Sequence, residues 1–388
     1  MTRKVLISGY HGFNNVGDEA ILESLLQILR RAAAERGASL EITVLSADPR
    51  KTTTNNGVKA VGRTRFLAIL PAIWSCDLFI SGGGGLLQDR TGYGLSVLYY
   101  LGLVFLARLM GKPIAFYAHG VGPITKKINR LITRWIVNGV DLITVRDADS
   151  KKELLALGVT RPPLQVTVDP AFYLRPLPPG EGPGDKVEAI LAQVPRERPL
   201  LGISVREWQA EKGLLQEVAL AADLVAGKLG AGVVFVPMFP SQDLPASRKA
   251  AAAMQHESYV VEDDLTPREL LSLFSHFDLF IGVRLHSLIF ASIVGTPMVG
   301  ICYDPKVDSF LSRLELDAEE KVETLTAESL YLKCMRVWES REAIKPRLLE
   351  LAEDFRGEAI SCGNRIYHYF FGEESGEESK EKQREEGS

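Results

Sequence analysis

Along its first half the chain alternates short continuous apolar runs with segments whose apolar positions recur at helical spacing. Lys4 to Ser8 reads as a strand, and further strand-like runs lie at 40–45, 77–81, 113–118, 141–145 and 164–168. Helices fall between most of them, as in Asp18 to Gly37, where Gly37 closes the helical run. Apolar strands alternating with helices predict a parallel sheet covered on both faces. The alternation breaks at 174–199, rich in proline and glycine (Pro176-Leu-Pro-Pro-Gly180), and resumes with strands near 199–204, 232–236, 258–262, 278–282 and 297–301. From Ala327 to Phe371 the pattern is mostly helical, and from Gly372 to Ser388 every residue is polar or Gly.

The two halves echo each other. Asp77-Leu-Phe-Ile-Ser-Gly82 returns as Asp278-Leu-Phe-Ile-Gly-Val283, and Gly111-Lys-Pro-Ile114 returns as Gly295-Thr-Pro-Met298. The pattern predicts an α/β fold of two Rossmann-like domains facing across a cleft. The expected division is 1–173 and 200–335 as the two domains, joined by 174–199. A helical segment at 336–371 and a disordered acidic tail at 372–388 follow.

With 388 residues the chain exceeds one ordinary core. Its net charge of −4 gives no global pull toward nucleic acid, so no nucleic-acid partner is expected. Cys76, Cys302, Cys334 and Cys362 are scattered, which suits a reducing cytoplasm and argues against a zinc site. The opening residues do not read as a signal peptide. The apolar stretch from Leu95 to Ala107 is shorter than the ~20 residues a bilayer needs and reads as a buried helix.

In such sheets ligands sit beyond the carboxyl ends of the strands. The first strand runs into Gly9-Tyr-His-Gly-Phe-Asn-Asn-Val-Gly-Asp18, a loop whose glycines and asparagines (Asn14, Asn15) can bring backbone close to a ligand. Asp18 is either the cap of the next helix or a carboxylate that takes a sugar hydroxyl's proton. Ser81-Gly-Gly-Gly-Gly85 reads as a loop whose Gly83 and Gly84 can meet an acceptor. It matches neither a P-loop nor a dinucleotide fingerprint. His119 fits a ligand contact or a core histidine equally. Asp147 and Asp149 read as the cap and first-turn acid of a helix rather than a metal pair. Arg146, Arg206, Arg284 and Lys306 each follow a strand, and four cations converging on one cleft point to a small, multiply anionic ligand. His286 adds a group that exchanges a proton near neutral pH.

Gly9 to Leu22, Gly82 to Asp89, His119-Gly-Val-Gly-Pro123, Arg146 to Ser150 and Val283-Arg-Leu-His-Ser287 resemble, in order, the motifs of the polysaccharide pyruvyl transferase family. The similarity is greatest to bacterial members that pyruvylate cell-wall polymers. It implies a GT-B-like fold, phosphoenolpyruvate as donor and a cyclic pyruvate ketal as product; from the residues themselves, no cofactor is expected and no convincing metal site is read. The implied acceptor is an N-acetylmannosamine on a lipid-linked precursor, whose polymer anchors S-layer proteins. By motif, donor contacts fall on Arg146, Arg284, Leu285, His286 and Lys306, with Arg206 added from its strand-end position. Acceptor contacts are expected at Asn14, Asn15, Asp18, Gly83, Gly84 and His119. His286 and Asp18 are the expected proton carriers.

Lys126, Lys127, Arg130 and Arg134 interleave with Ile128, Leu131, Ile132 and Trp135, which suits either peripheral contact with anionic lipid or a solvated helix face. The competing functions are a nucleotide-sugar glycosyltransferase or epimerase of the same shape, and a non-catalytic glycan-binding module.

Overall fold

The computed structural model describes residues 2–89, 95–178, 185–194, 198–207, 213–314 and 319–372. Parts of the 174–199 connection, and nearly all of the expected tail, lie outside these residues.

Two parallel sheets organise the chain. The first contains β1 (Thr2–Ser8), β2 (Ser39–Ser46), β3 (Lys59–Gly62), β4 (Leu78–Leu87), β5 (Ile114–Val121), β6 (Leu142–Val145) and β7 (Leu164–Val166), in the order β3-β2-β1-β4-β5-β6-β7. The second contains β8 (Leu200–Ser204), β9 (Gly232–Phe235), β10 (Ser258–Val260), β11 (Leu279–Gly282), β12 (Met298–Cys302) and β13 (Glu319–Lys321), in the order β10-β9-β8-β11-β12-β13. The helices of the first half are α1 (Val16–Ala34), α2 (Pro49–Asn56), α3 (Phe66–Ser75), α4 (Leu95–Leu109), α5 (Lys127–Val137) and α6 (Ala148–Ala156). Those that follow are α7 (Asp185–Leu191), α8 (Leu214–Leu229), α9 (Pro240–Ala253), α10 (Pro267–Phe274), α11 (Leu285–Val294), α12 (Pro305–Leu314), α13 (Ala327–Glu339) and α14 (Arg341–Phe371).

The sequence echo has a mechanical cause. Asp77 opens β4, and its carboxylate accepts from the Lys4 N–H at 2.7 Å. Asp278 opens β11 and accepts from the Leu200 N–H at 2.9 Å. Each aspartate pins the start of a central strand to the first strand of its sheet. The prolines of the echoed Gly-x-Pro phrases also act alike: Phe79 N–H donates to the Pro113 carbonyl and Phe280 N–H to the Pro297 carbonyl.

Two expectations are corrected. Gly82 to Gly85 are not a loop after β4 but its interior, with Gly82 paired to Tyr117 and Gly84 to His119. The reason is helix packing: a Cβ on Gly83 would lie 2.5 Å from Ile21 Cγ2 of α1, so the bare backbone lets that helix close on the strand. Strands β3 and β13 were not foreseen, because Lys59-Ala-Val-Gly62 and Glu319-Glu-Lys321 carry no continuous apolar run. The C-terminal segment is helical, and α14 runs from the second domain to dock on the first. There Cys362 and Ile366 join the core formed by Leu22, Leu25 and Leu29 of α1, and Tyr369 Oη donates to the Asp141 carbonyl at 3.1 Å.

A Cβ on Gly363 would lie 2.1 Å from Ile28 Cγ2. Gly363→Val overpacks this contact and lowers stability by about 1–3 kcal/mol. The measurement is the urea midpoint of the first unfolding transition; an unchanged midpoint contradicts close docking of α14.

Candidate active site

The N-terminus of α1 is the point where the first domain meets the second. Val16 N–H donates to the Met238 carbonyl at 2.9 Å, across the seam. His286 stands in the first turn of α11, just past β11, and its ring packs closely against Gly17. A Cβ on Gly17 would sit 2.1 Å from His286 Nδ1, so the approach requires glycine. Asn15 caps α1 by accepting from Gly17 N–H at 3.3 Å. Asp18 is therefore not the cap. It lies within the first turn, buried, and a Cβ on Gly84 would sit 2.7 Å from its Oδ1. Gly84 has φ +79°, a left-handed conformation that also favours glycine.

Asp169 completes the group. It follows β7 and opens a short 3-10 turn, Pro170–Tyr173, by accepting from Ala171 N–H at 3.1 Å. Its Oδ2 lies 3.0 Å from Arg146 Nη1 and 3.5 Å from His286 Nε2. The first is an aligned hydrogen bond; the second is a longer approach that makes no hydrogen bond. Asp18, Arg146 and Asp169 are buried, and the His286 side chain is only 16% exposed. Burial alone would raise Asp169, but the nearby His286 and Arg146 and the Ala171 N–H outweigh it and hold the carboxyl well below the usual range. Asp18 goes the other way. Burial pushes it up to about 7, with Glu19 and Asp169 adding to the rise and His286 and Arg146 opposing it. One carboxyl held ionised and one pushed up to about 7, side by side with a histidine, supply the groups that acid–base chemistry needs.

A small cleft opens beside this group, lined by Arg146, Asp169, Leu285, Lys306 and Arg313. Lys306 reaches across from the second domain, its Nζ 3.4 Å from where a Cβ on Gly85 would be. Arg313 on α12 donates to the Arg146 carbonyl at 3.2 Å.

Other expected residues lie elsewhere. Arg284 turns away and makes a two-nitrogen ion pair with Asp243, 2.5 Å at its shortest, plus a bond to Gln242 at 3.1 Å. Arg206 donates to Tyr303 Oη at 3.3 Å, with its guanidinium over the Tyr303 ring. His119 is enclosed in the sheet, its Nε2 3.0 Å from both the carbonyl and Oγ of Ser81, and burial lowers it to about 4. The cleft therefore does not reach His119, and Gly83 is covered by Ile21. Asn14, at φ +60°, lines a separate, larger cleft of about 180 Å³ with Glu19, Lys51 and Asn55. Asp147 caps α6 by accepting from Ser150 N–H, as expected, and Asp149 sits in its first turn. Asp169 and Arg313 were not foreseen. The strand-end rule that selected Arg146 also selects Asp169 in Val166-Thr-Val-Asp-Pro170; nothing local marks Arg313.

Asp18 gives stability a pH dependence of known sign. Its folded pKa is raised, so the folded chain binds an extra proton between the ordinary carboxylate value and about 7. Stability falls as pH rises through that window, by of the order of a few kcal/mol. Asp169, being depressed, contributes only below the window. Asp18→Asn should lose less in melting temperature than wild type between pH 5 and pH 8; parallel losses contradict the assignment.

Comparison with known proteins agrees with this architecture. The fold resembles the UDP-GlcNAc 2-epimerase of Methanocaldococcus jannaschii (TM-score 0.64, 13% identity, 95% of this chain and 99% of that one). It also resembles the sucrose-phosphate synthase of Thermosynechococcus elongatus (TM-score 0.60, 12% identity, 95% and 99%). These likenesses establish a GT-B-like pair of Rossmann-like domains. In sequence, the amylovoran biosynthesis protein AmsJ of Erwinia amylovora is 24% identical over 420 residues, covering 94% of this chain and 98% of its own. Residues 15–305 match the model of one family, a span that begins at the cap of α1 and takes in Asp18, Arg146, Asp169 and His286. The chain belongs to the polysaccharide pyruvyl transferase family.

Proposed function

We propose that the chain moves the enolpyruvyl group of phosphoenolpyruvate onto two hydroxyls of one sugar, forming a cyclic pyruvate ketal and releasing phosphate. Family membership supports pyruvyl transfer, and the relative named for amylovoran biosynthesis supports a polysaccharide setting. The observation that carries the finer reading is the buried set of Asp18, Asp169 and His286 beside a cation-lined cleft. That cleft is lined by three cations, Arg146, Lys306 and Arg313, which suits a small, multiply anionic donor.

The chemistry needs one proton delivered to the donor's methylene carbon and two removed from acceptor hydroxyls. Lys306, Arg146 and Arg313 hold the donor's phosphate and carboxylate and offset charge on the leaving group. Asp169, 3.5 Å from His286 Nε2, orients the His286 ring, and His286 or Asp18 protonates the methylene while the other takes a hydroxyl proton. The first hydroxyl oxygen bonds to C2. The C2–O bond to phosphate then breaks, and the second hydroxyl closes the ring. One acceptor proton ends in the new methyl group and the other leaves with phosphate. Arg284 and Arg206 remain candidate donor contacts that would have to leave Asp243 and Tyr303. The larger cleft on the far side of the first turn of α1, with its amides and carboxylates, suits the sugar hydroxyls of a lipid-linked N-acetylmannosaminyl acceptor. The reading places the enzyme in the cytoplasm, acting on precursors of an S-layer-anchoring polymer.

Phosphate release from phosphoenolpyruvate should require such an acceptor and fall about 100-fold or more in His286→Ala. No release with any sugar acceptor, alongside turnover of UDP-N-acetylglucosamine, would move the protein to the nucleotide-sugar reading.

A further inference from the structure

We propose that α3, α4 and α5 together form a face that docks on an anionic lipid bilayer. The three helices cover one side of the first sheet through a shared core that includes Ile69, Ile73, Val97, Leu101, Ile136 and Val137. Their outer surfaces are apolar where solvent-facing helices are ordinarily charged. Leu67 is 90% exposed, Trp74 69%, Leu131 63% and Trp135 58%. In α5, Ile136 and Val137 pack inward together with Asn129 and Thr133, while Ile128, Leu131 and Trp135 face out. The patch is continuous, because α4 lies between and touches both neighbours, with the Phe105 ring 5.2 Å from that of Trp135. An apolar surface of this kind marks an interaction site.

Charge identifies the occupant. None of α3, α4 and α5 contains an Asp or Glu, in a chain with 49 acidic residues. The charges they and their ends carry are all positive: Arg65, Arg108, Lys127, Arg130 and Arg134, joined at the flanks by Lys126 and Lys112. A second copy packed symmetrically on this face would set like charges against one another, although Arg130 also pairs with Glu153 at 3.6 Å. An anionic lipid surface supplies the missing charge, and outward Trp and Leu beside Lys and Arg is the residue set of the lipid interface. Among the described residues no helix is long and apolar enough to cross a membrane, so the face would rest on the bilayer.

The attachment is built in. Asp89 accepts from Thr125 N–H at 2.8 Å, Lys126 N–H at 2.9 Å and Asn129 Nδ2 at 3.1 Å, fixing the start of α5. In a parallel sheet the crossover helices begin at the carboxyl edge, so this basic end lies on the edge that carries Arg146 and Gly85. Docking there would hold the cleft near the lipid surface. The inference rests on the surface alone and stands whatever the reaction proves to be.

The test is sedimentation of the full chain with phosphatidylcholine vesicles, with and without phosphatidylglycerol. Wild type should sediment with the anionic vesicles only. Lys126→Gln, Lys127→Gln and Arg134→Gln together should weaken binding by about 100-fold, roughly fivefold for each cation. Leu67→Glu with Trp135→Glu should abolish it, with the melting temperature retained because both positions are exposed. Three results overturn the proposal: no sedimentation with anionic vesicles, equal sedimentation of wild type and variants, or equal binding to neutral vesicles. A lipid-free dimer that Trp135→Glu converts to monomer overturns it in favour of a second copy.

Discussion

Charges buried between two domains must neutralise one another, and that requirement shapes the seam of this protein. Arg146 leaves β6, Asp169 follows β7, and His286 opens α11 on the opposite domain. Each is largely shielded from water, and each has a partner of opposite or complementary charge within 3.5 Å. A buried ion left unpaired costs several kcal/mol, so the domains are held in the one arrangement that completes the set. The cost of that arrangement falls on Asp18. It lies in the same enclosure without a dedicated cation and takes up a proton near neutrality instead. The fold thus yields one carboxyl that stays ionised and one that exchanges its proton, from residues of the same type.

Close backbone approach makes this possible. Gly17 lets the His286 ring lie on α1, and Gly84 leaves room for the Asp18 carboxylate. The long α14 then ties the second domain back to α1 from behind, so the helix that carries Asp18 is packed from both domains. Binding energy at the cleft is therefore transmitted to a rigid support rather than to loops.

Much of this architecture was legible in the sequence. Apolar runs gave most of the strands, and the repeated Asp-Leu-Phe-Ile phrase marked two like domains, because the same aspartate clamp recurs in each sheet. The strand-end rule reached Arg146, His286 and Lys306. It stopped short of Asp169, whose apolar strand was read while its terminal Asp-Pro was not weighed. What stayed hidden depends on distant chain segments. Nothing near Arg284 announces that Asp243, 41 residues earlier in the chain, will claim it. Nothing near Gly82 to Gly85 says that a helix rather than a ligand will cover them. Arg313 lies within a helix, and only the packing of α12 against the seam brings it to Arg146.

The central claim is that Asp169 acts through His286 across the seam, and a double-mutant cycle tests it most directly. Phosphate release from phosphoenolpyruvate with a sugar acceptor would be measured for wild type, Asp169→Asn, His286→Gln and the double variant. If the two residues act as a unit, the double variant is no slower than the slower single variant. If their losses multiply, Asp169 and His286 act independently and the account of the site is wrong.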